Sequence, residues 1–172
     1  DGLASFDGSR IADSGARPGT PPLGAVLALG IRSLGGIYVG TNAGLYLRTP
    51  EAGWRYLGDQ RSIASLVEAD PGTVWAVDQQ GRLTQVTDDG AAIWQSVPLA
   101  ADLGPALAVG RGPDGRVWVA THRALLAVDA GGTPQPVARL SAPEVVTTLL
   151  VDQAGHPWLG TSRGTVARFE PG

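Results

Sequence analysis

The sequence predicts an all-β chain assembled from four-stranded antiparallel units. Two observations carry this. The 172 residues include 25 glycines and 13 prolines, about 22% together against roughly 12% in average usage, a punctuation too dense for a helical bundle. The apolar residues between these breakers come in runs of about four, too short for stable helices and β-branched enough for strands. Hydrophobic residues still reach 43% and charged residues only 17%, so the chain has material for a core and is not a disordered tail.

The strands fall into an internal repeat. Tyr38, Trp75, Trp118 and Trp158 form one column with spacings of 37, 43 and 40 residues, and three residues before each stands a glycine: Gly35, Gly72, Gly115 and Gly155. A period near 40 is that of the four-stranded units that build radial repeat folds.

In order along each repeat, the first strand is Val26–Leu29, Ile63–Leu66, Ala106–Val109 and Val146–Leu149. A hairpin turn follows, made by Arg32–Gly35, Ala69–Gly72, Gly112–Gly115 and Asp152–Gly155, where Asp, Pro and Gly suit the required dihedrals. The second strand carries the aromatic column and ends at Thr41, Asp78, Thr121 and Thr161; a third starts near Gly44, Gly81, Ala124 and Gly164. A fourth contains Trp54 and Trp94, 40 residues apart, and in the third repeat the weaker Pro136–Leu140. All five tryptophans thus sit in repeat register, which predicts packing between neighbouring sheets rather than chemistry.

The last repeat, Val151-Asp152-Gln153-Ala154-Gly155-His156-Pro157-Trp158-Leu159-Gly160-Thr161-Ser162-Arg163-Gly164, closely resembles the two-component-regulator propeller repeat, an Asp-x-x-Gly turn followed by Trp and Gly-Thr-x-x-Gly. The first matches its second half through Tyr38-Val39-Gly40-Thr41-Asn42-Ala43-Gly44-Leu45. The first two repeats also resemble degenerate BNR or Asp-box repeats, in Arg48–Trp54 and Thr87–Trp94, the latter with one residue too many between Gly90 and Trp94. Both resemblances imply a β-propeller, in which each four-stranded sheet is a blade and its innermost strand lines a central channel.

On this register residues 1–23 end a preceding blade, 24–60, 61–104 and 105–142 are blades, and 143–172 form an incomplete one. Gly2 stands 42 residues before Gly44, so the chain starts and stops on third-strand positions. The expectation is about four blades of a larger ring of about six to eight; the alternative is a compact four- to five-blade unit whose N-terminal strands complete the last sheet. The open edges would be paired by further blades or a second chain.

Function is less legible. A formal charge of −3 and a pI of about 5.2, with all 13 basic residues scattered arginines, argue against a nucleic-acid partner. No stretch approaches the roughly 20 apolar residues that cross a bilayer, so no membrane insertion by this segment is expected. Cysteine is absent, which excludes thiolate metal sites. The two histidines, His122 and His156, lie six strand positions apart in the register, about 20 Å, on opposite rims and too far apart to share a metal. Calcium loops, nucleophile elbows, phosphate loops and paired glycosidase carboxylates are not recognisable. No cofactor and no catalytic residue is expected.

Polar residues from several repeats converge on the rim formed by second-to-third-strand turns and inter-blade connections: Asn42, Arg61, Asp78, Gln79, His122, Arg123 and Arg163, with Glu144 and Ser162 beside them. Arginines there suit a carboxylate or sugar acid. On the other rim the inner strands end in Arg32, Glu68, Arg111 and Asp152, alternating in sign. The expected role is a non-enzymatic module binding a small molecule or protein at one channel mouth. The two-component resemblance implies the sensor region of a signalling protein, periplasmic or extracellular. The alternatives are a BNR-like assembly factor docking on a larger complex, or a sialidase-like glycosidase or propeller lyase.

Overall fold

The computed structural model describes residues 3–6, 8–13, 21–89, 91–129, 132–141 and 143–170; Gly2 and Gly90, used in the register above, lie outside them. Four antiparallel meanders follow one another. The first blade is β3 (Val26–Ile31), β4 (Ile37–Thr41), β5 (Gly44–Thr49) and β6 (Gly53–Gly58). The second is β7 (Ile63–Asp70), β8 (Thr73–Asp78), β9 (Leu83–Thr87) and β10 (Ile93–Val97). The third is β11 (Ala106–Arg111), β12 (Val117–Thr121), β13 (Ala124–Val128) and β14 (Pro134–Arg139), entered through a single 3₁₀ turn at Ala101–Leu103. The fourth has three strands, β15 (Val146–Val151), β16 (Pro157–Thr161) and β17 (Val166–Arg168). A short hairpin, β1 (Ala4–Phe6) with β2 (Ile11–Asp13), precedes them.

The inner strands pack in sequence, β3 on β7, β7 on β11 and β11 on β15. The core is therefore divided among the interfaces. Tyr38, Leu45, Ile63, Leu66 and Val86 fill the first. Trp75, Val77, Leu83, Val109 and Val119 fill the second, and Trp118, Leu125, Val146 and Leu159 the third. Leu3 packs on Val39 and Tyr46 across the other side of the first blade. Because successive strand residues point to opposite faces, each blade feeds two cores.

Local chemistry explains the columns. Gly35, Gly72, Gly115 and Gly155 have φ of +89°, +78°, +86° and +86°, the left-handed region that side chains avoid and glycine enters freely. The second-strand ends Thr41, Asp78, Thr121 and Thr161 are all buried. Each staples the next turn. Thr41 Oγ1 accepts the Ala43 N–H at 3.0 Å, Thr121 Oγ1 the Ala124 N–H at 2.9 Å and Thr161 Oγ1 the Thr165 N–H at 3.3 Å. Asp78 Oδ1 accepts the N–H groups of Gln80 and Arg82.

One recurrent feature has no side-chain signature. The inner strands all shift register at the same place, between Val26 and Ala28, Ile63 and Ser65, Ala106 and Ala108, and Val146 and Thr148. A bulge there bends each inner strand and sharpens its twist.

Two tryptophans are buried to about their whole surface, Trp75 and Trp118, while Trp54, Trp94 and Trp158 are half-buried. Trp94 Nε1 donates to Leu57 O at 2.8 Å, tying the second blade's outer strand to the first.

Candidate functional site

The residues of the inter-blade rim are held mostly by their own loops. Asn42 Oδ1 accepts the Ala25 N–H at 3.1 Å. Arg61 Nε lies 2.8 Å from Asp59 Oδ2. Asp78 is buried, and besides its two backbone donors it takes Arg82 Nε at 2.6 Å. Gln79 is exposed and its N–H donates to Ser62 O at 2.9 Å. His122 is half-buried and its backbone bridges two connections, its N–H donating to Pro105 O and its carbonyl accepting from Val146 N–H. Arg163 is exposed. Glu144 accepts the Thr161 hydroxyl at 2.5 Å, and that hydrogen bond, with another from Thr165 and the nearby Arg163 charge, holds its carboxyl below the usual range.

Of the seven, Arg123 lines a recess, with Leu140, Pro143, Glu144 and Val145, of about 60 Å³. A groove of about 400 Å³ on the same rim is lined instead by residues 80–83, 96–101, 104 and 105.

The hairpin rim carries two further recesses. Its channel mouth, about 550 Å³, is lined by all four inner strands, including Leu29, Glu68, Arg111 and Asp152. The charges there are balanced within and between adjacent blades rather than around the ring. Arg32 Nε reaches Asp88 Oδ2 at 3.0 Å, and the buried Asp88 also accepts the Tyr38 hydroxyl at 2.6 Å. Burial, and then that hydrogen bond, push the Tyr38 phenol well up, so it stays protonated as the donor. Buried Glu68 accepts the N–H groups of Ser33 at 2.6 Å and Gly72 at 3.1 Å. Arg111 is exposed and makes no ion pair among the described residues.

Asp152 accepts Trp158 Nε1 at 2.8 Å and the N–H groups of Ala154 and His156 at 2.9 Å. These donors, the indole first, hold its carboxyl down at about 2. A folded-state value below the ordinary 3.8 means that its stabilisation is complete above that pH and lost as pH falls toward 2. Thermal melts from pH 5 to pH 2 should therefore show a declining melting temperature in the native chain and a shallower decline in Asp152→Asn; equal slopes would remove Asp152 from the acid response.

A second groove on this rim, about 730 Å³, lies between the second and third blades. Its floor is Ala69, Trp75 and Val117; Asp70, Gln85, Asp114, Arg116, Asp129 and Gln135 supply polar groups from both blades. An apolar floor with a few polar side chains from two elements is the usual build of a ligand cleft. Sequence reasoning missed it, because Asp70 and Asp114 read there only as turn residues. Gln85 and Gln135 belong to the third and fourth strands of different blades, and nothing in their spacing brings them together. Among the described residues no three His, Cys, Asp or Glu side chains converge on a metal-sized site, and no helix is long and apolar enough to cross a membrane.

No protein-family profile matches the chain, and no curated protein sequence does. Solved structures do. The extracellular domain of a hybrid two-component system from B. thetaiotaomicron aligns with a TM-score of 0.72 at 16% identity, over 98% of this chain and 24% of that one. Virginiamycin B lyase from Staphylococcus aureus aligns with a TM-score of 0.68 at 16% identity, over 94% of this chain and 59% of the lyase. YCF48 bound to a D1 peptide aligns with a TM-score of 0.65 at 21% identity, over 87% of this chain and 53% of that one. The fold is a β-propeller. This propeller chain spans between half and three-fifths of the length of the lyase and of YCF48. At such identities the likeness fixes architecture, and function has to be argued from the site.

Proposed function

We propose that this propeller segment is a non-enzymatic binding module for a polar ligand, a peptide segment or a small molecule, seated in the groove between its second and third blades. The observation that carries the reading is that groove of about 730 Å³, with Trp75 in its floor and Arg116, Gln85 and Gln135 among its polar groups. Neither His122 nor His156 lines it, so the commonest proton carrier at neutral pH is missing from the walls. Structural neighbours include the extracellular domain of a hybrid two-component system and YCF48 bound to a D1 peptide, which supports an extracytoplasmic sensing role in which ligand capture is the whole task.

A thermal-shift screen of polar peptides and oligosaccharides tests this. A hit should raise the melting temperature of the native chain, and Arg116→Ala or Gln135→Ala should abolish the rise while Arg163→Ala leaves it intact. Loss of the response in Arg123→Ala or Arg163→Ala, with Arg116→Ala unaffected, would place the ligand on the opposite rim. Turnover of a hit compound would sink the non-enzymatic reading.

A further inference from the structure

The tryptophan column differs from blade to blade in where its indole N–H goes. In the fourth blade Trp158 Nε1 donates to Asp152 Oδ2 at 2.8 Å, six residues back at the end of the inner strand. The same step back from Trp118 is Gly112, and from Trp75 it is Ala69, so neither indole finds a carboxylate at that place. Trp118 Nε1 is sealed in the core without a partner among the described residues. Trp75 likewise makes no side-chain hydrogen bond among them. Its indole is only 2% exposed, but Trp75 and Ala69 both line the groove between the second and third blades, and its donor is not among the sealed atoms.

The other polar groups of the groove define what would accept that bond. Gln85 stands directly across from Trp75 on β9, and Gln135 comes from β14 of the next blade. Both line the groove, and neither side-chain amide has a partner among the described residues. A primary amide offers donors and an acceptor together, the complement of another amide. The charged groups are three carboxylates, Asp70, Asp114 and Asp129, against one guanidinium, Arg116. Arg116 Nε lies 3.9 Å from Asp114 Oδ2, and its guanidinium is 5.7 Å from the Trp118 ring. A ligand carboxylate would meet net repulsion there. The Asp152 carboxylate is placed differently, among the N–H groups of Ala154 and His156. A sugar ring would gain its contact area on an aromatic face, and the buried Trp75 presents none.

We propose that the groove binds a peptide segment through its main chain. A neutral amide carbonyl accepts the Trp75 Nε1–H bond from the place that Asp152 fills in the fourth blade, and Gln85 and Gln135 pair with the amides around it. This rests on the reading of the groove as the binding site and narrows its ligand. Peptide carbonyls carry no charge, so the surrounding carboxylates do not oppose them, and Asp70, exposed at the rim, accepts a main-chain N–H. The Arg116 guanidinium donates to a second carbonyl. The same charges exclude acidic segments and free carboxylates.

The probe is N-methylacetamide, the smallest model of a peptide group, with acetate as its charged counterpart. In an isotope-labelled sample the indole N–H signals of the five tryptophans are separate reporters. N-methylacetamide should move the Trp75 signal downfield and saturably while the sealed Trp118 and the Asp152-bound Trp158 stay in place; acetate at the same concentration should move none of them. Ala69→Asp supplies the missing carboxylate. It should shift the Trp75 signal with no amide added and abolish the response, with circular dichroism unchanged. Gln85→Leu should weaken the response about fivefold, the loss of one hydrogen bond, and serves where Ala69→Asp does not fold. A Trp75 signal that ignores N-methylacetamide, or answers acetate at least as strongly, overturns the proposal. So does an undiminished response in either variant. Failure of the groove as a site looks different: thermal-shift hits would then lose their effect in Arg123→Ala or Arg163→Ala. Failure of the peptide proposal alone leaves hits that still depend on Arg116 but carry a carboxylate or sugar and no amide.

Discussion

Asp88→Ala should lower the unfolding free energy by about 3 kcal/mol, read from urea denaturation. The carboxylate sits at the end of β9 with its side chain buried, and three groups of the first blade depend on the residue. Arg32 Nε donates to it at 3.0 Å and the Tyr38 hydroxyl at 2.6 Å, while Arg55 Nη2 donates to the Asp88 carbonyl at 2.5 Å. The Arg32 side chain is itself only 15% exposed, so removing its partner leaves a guanidinium that water can reach only in part. An unpaired, largely desolvated cation costs more than the pair contributed when intact. Tyr38→Phe should cost less, about 1 kcal/mol, because Arg32 still holds Asp88 and the hydroxyl makes one short hydrogen bond, to Asp88 at 2.6 Å, beside a long one to Glu68 at 3.4 Å. A cost for Asp88→Ala no greater than for Tyr38→Phe would mean that Arg32 finds water or a new partner, and that the cluster does not pin the first blade to the second.

Trp118→Ala should be comparably severe, at about 3–5 kcal/mol. The indole is buried between the third and fourth blades, with Phe169 edge-on at a centroid distance of 5.8 Å and Arg116 at 5.7 Å from its ring. Its Nε1 has no hydrogen-bond partner among the described residues, so the loss is one of packed area and cavity rather than polar pairing. Among the described residues, the fourth blade's inner strand packs on that of the third. In a stack where each unit contacts its neighbours alone, weakening that contact releases the end unit first. Hydrogen exchange should show β15 and β16 losing protection in Trp118→Ala while β7 and β8 keep theirs; uniform loss would show that the blades unfold as one cooperative body.

The two clusters also mark where sequence reading reaches its limit. The aromatic column and the glycine three residues ahead of it were readable because their causes are local. A turn that needs positive φ selects glycine, and a strand between two sheets selects a large flat side chain. Arg32, Glu68, Arg111 and Asp152 were visible as inner-strand ends, yet their partners were not. Arg32 is bound by Asp88, 56 residues away and in another blade, and the column that holds Tyr38 gives no hint that its hydroxyl is needed there. Asp78 looked like a rim ligand, and the fold shows its carboxylate occupied by its own turn, in a column where the other blades use threonine.

By itself, then, the sequence determined that this chain is all-β, that it repeats about every 40 residues, and where its strands and turns fall, since period, turn chemistry and strand propensity act over a few residues. Only the tertiary structure decided which charges are satisfied across blades, where the inner strands bulge, and that a groove of about 730 Å³ lies between the second and third blades. Those features depend on distances between side chains far apart in the chain. The same holds for the end blades. Leu29 and Leu66 occupy one column of the repeat; stacking alone leaves the first exposed and buries the second.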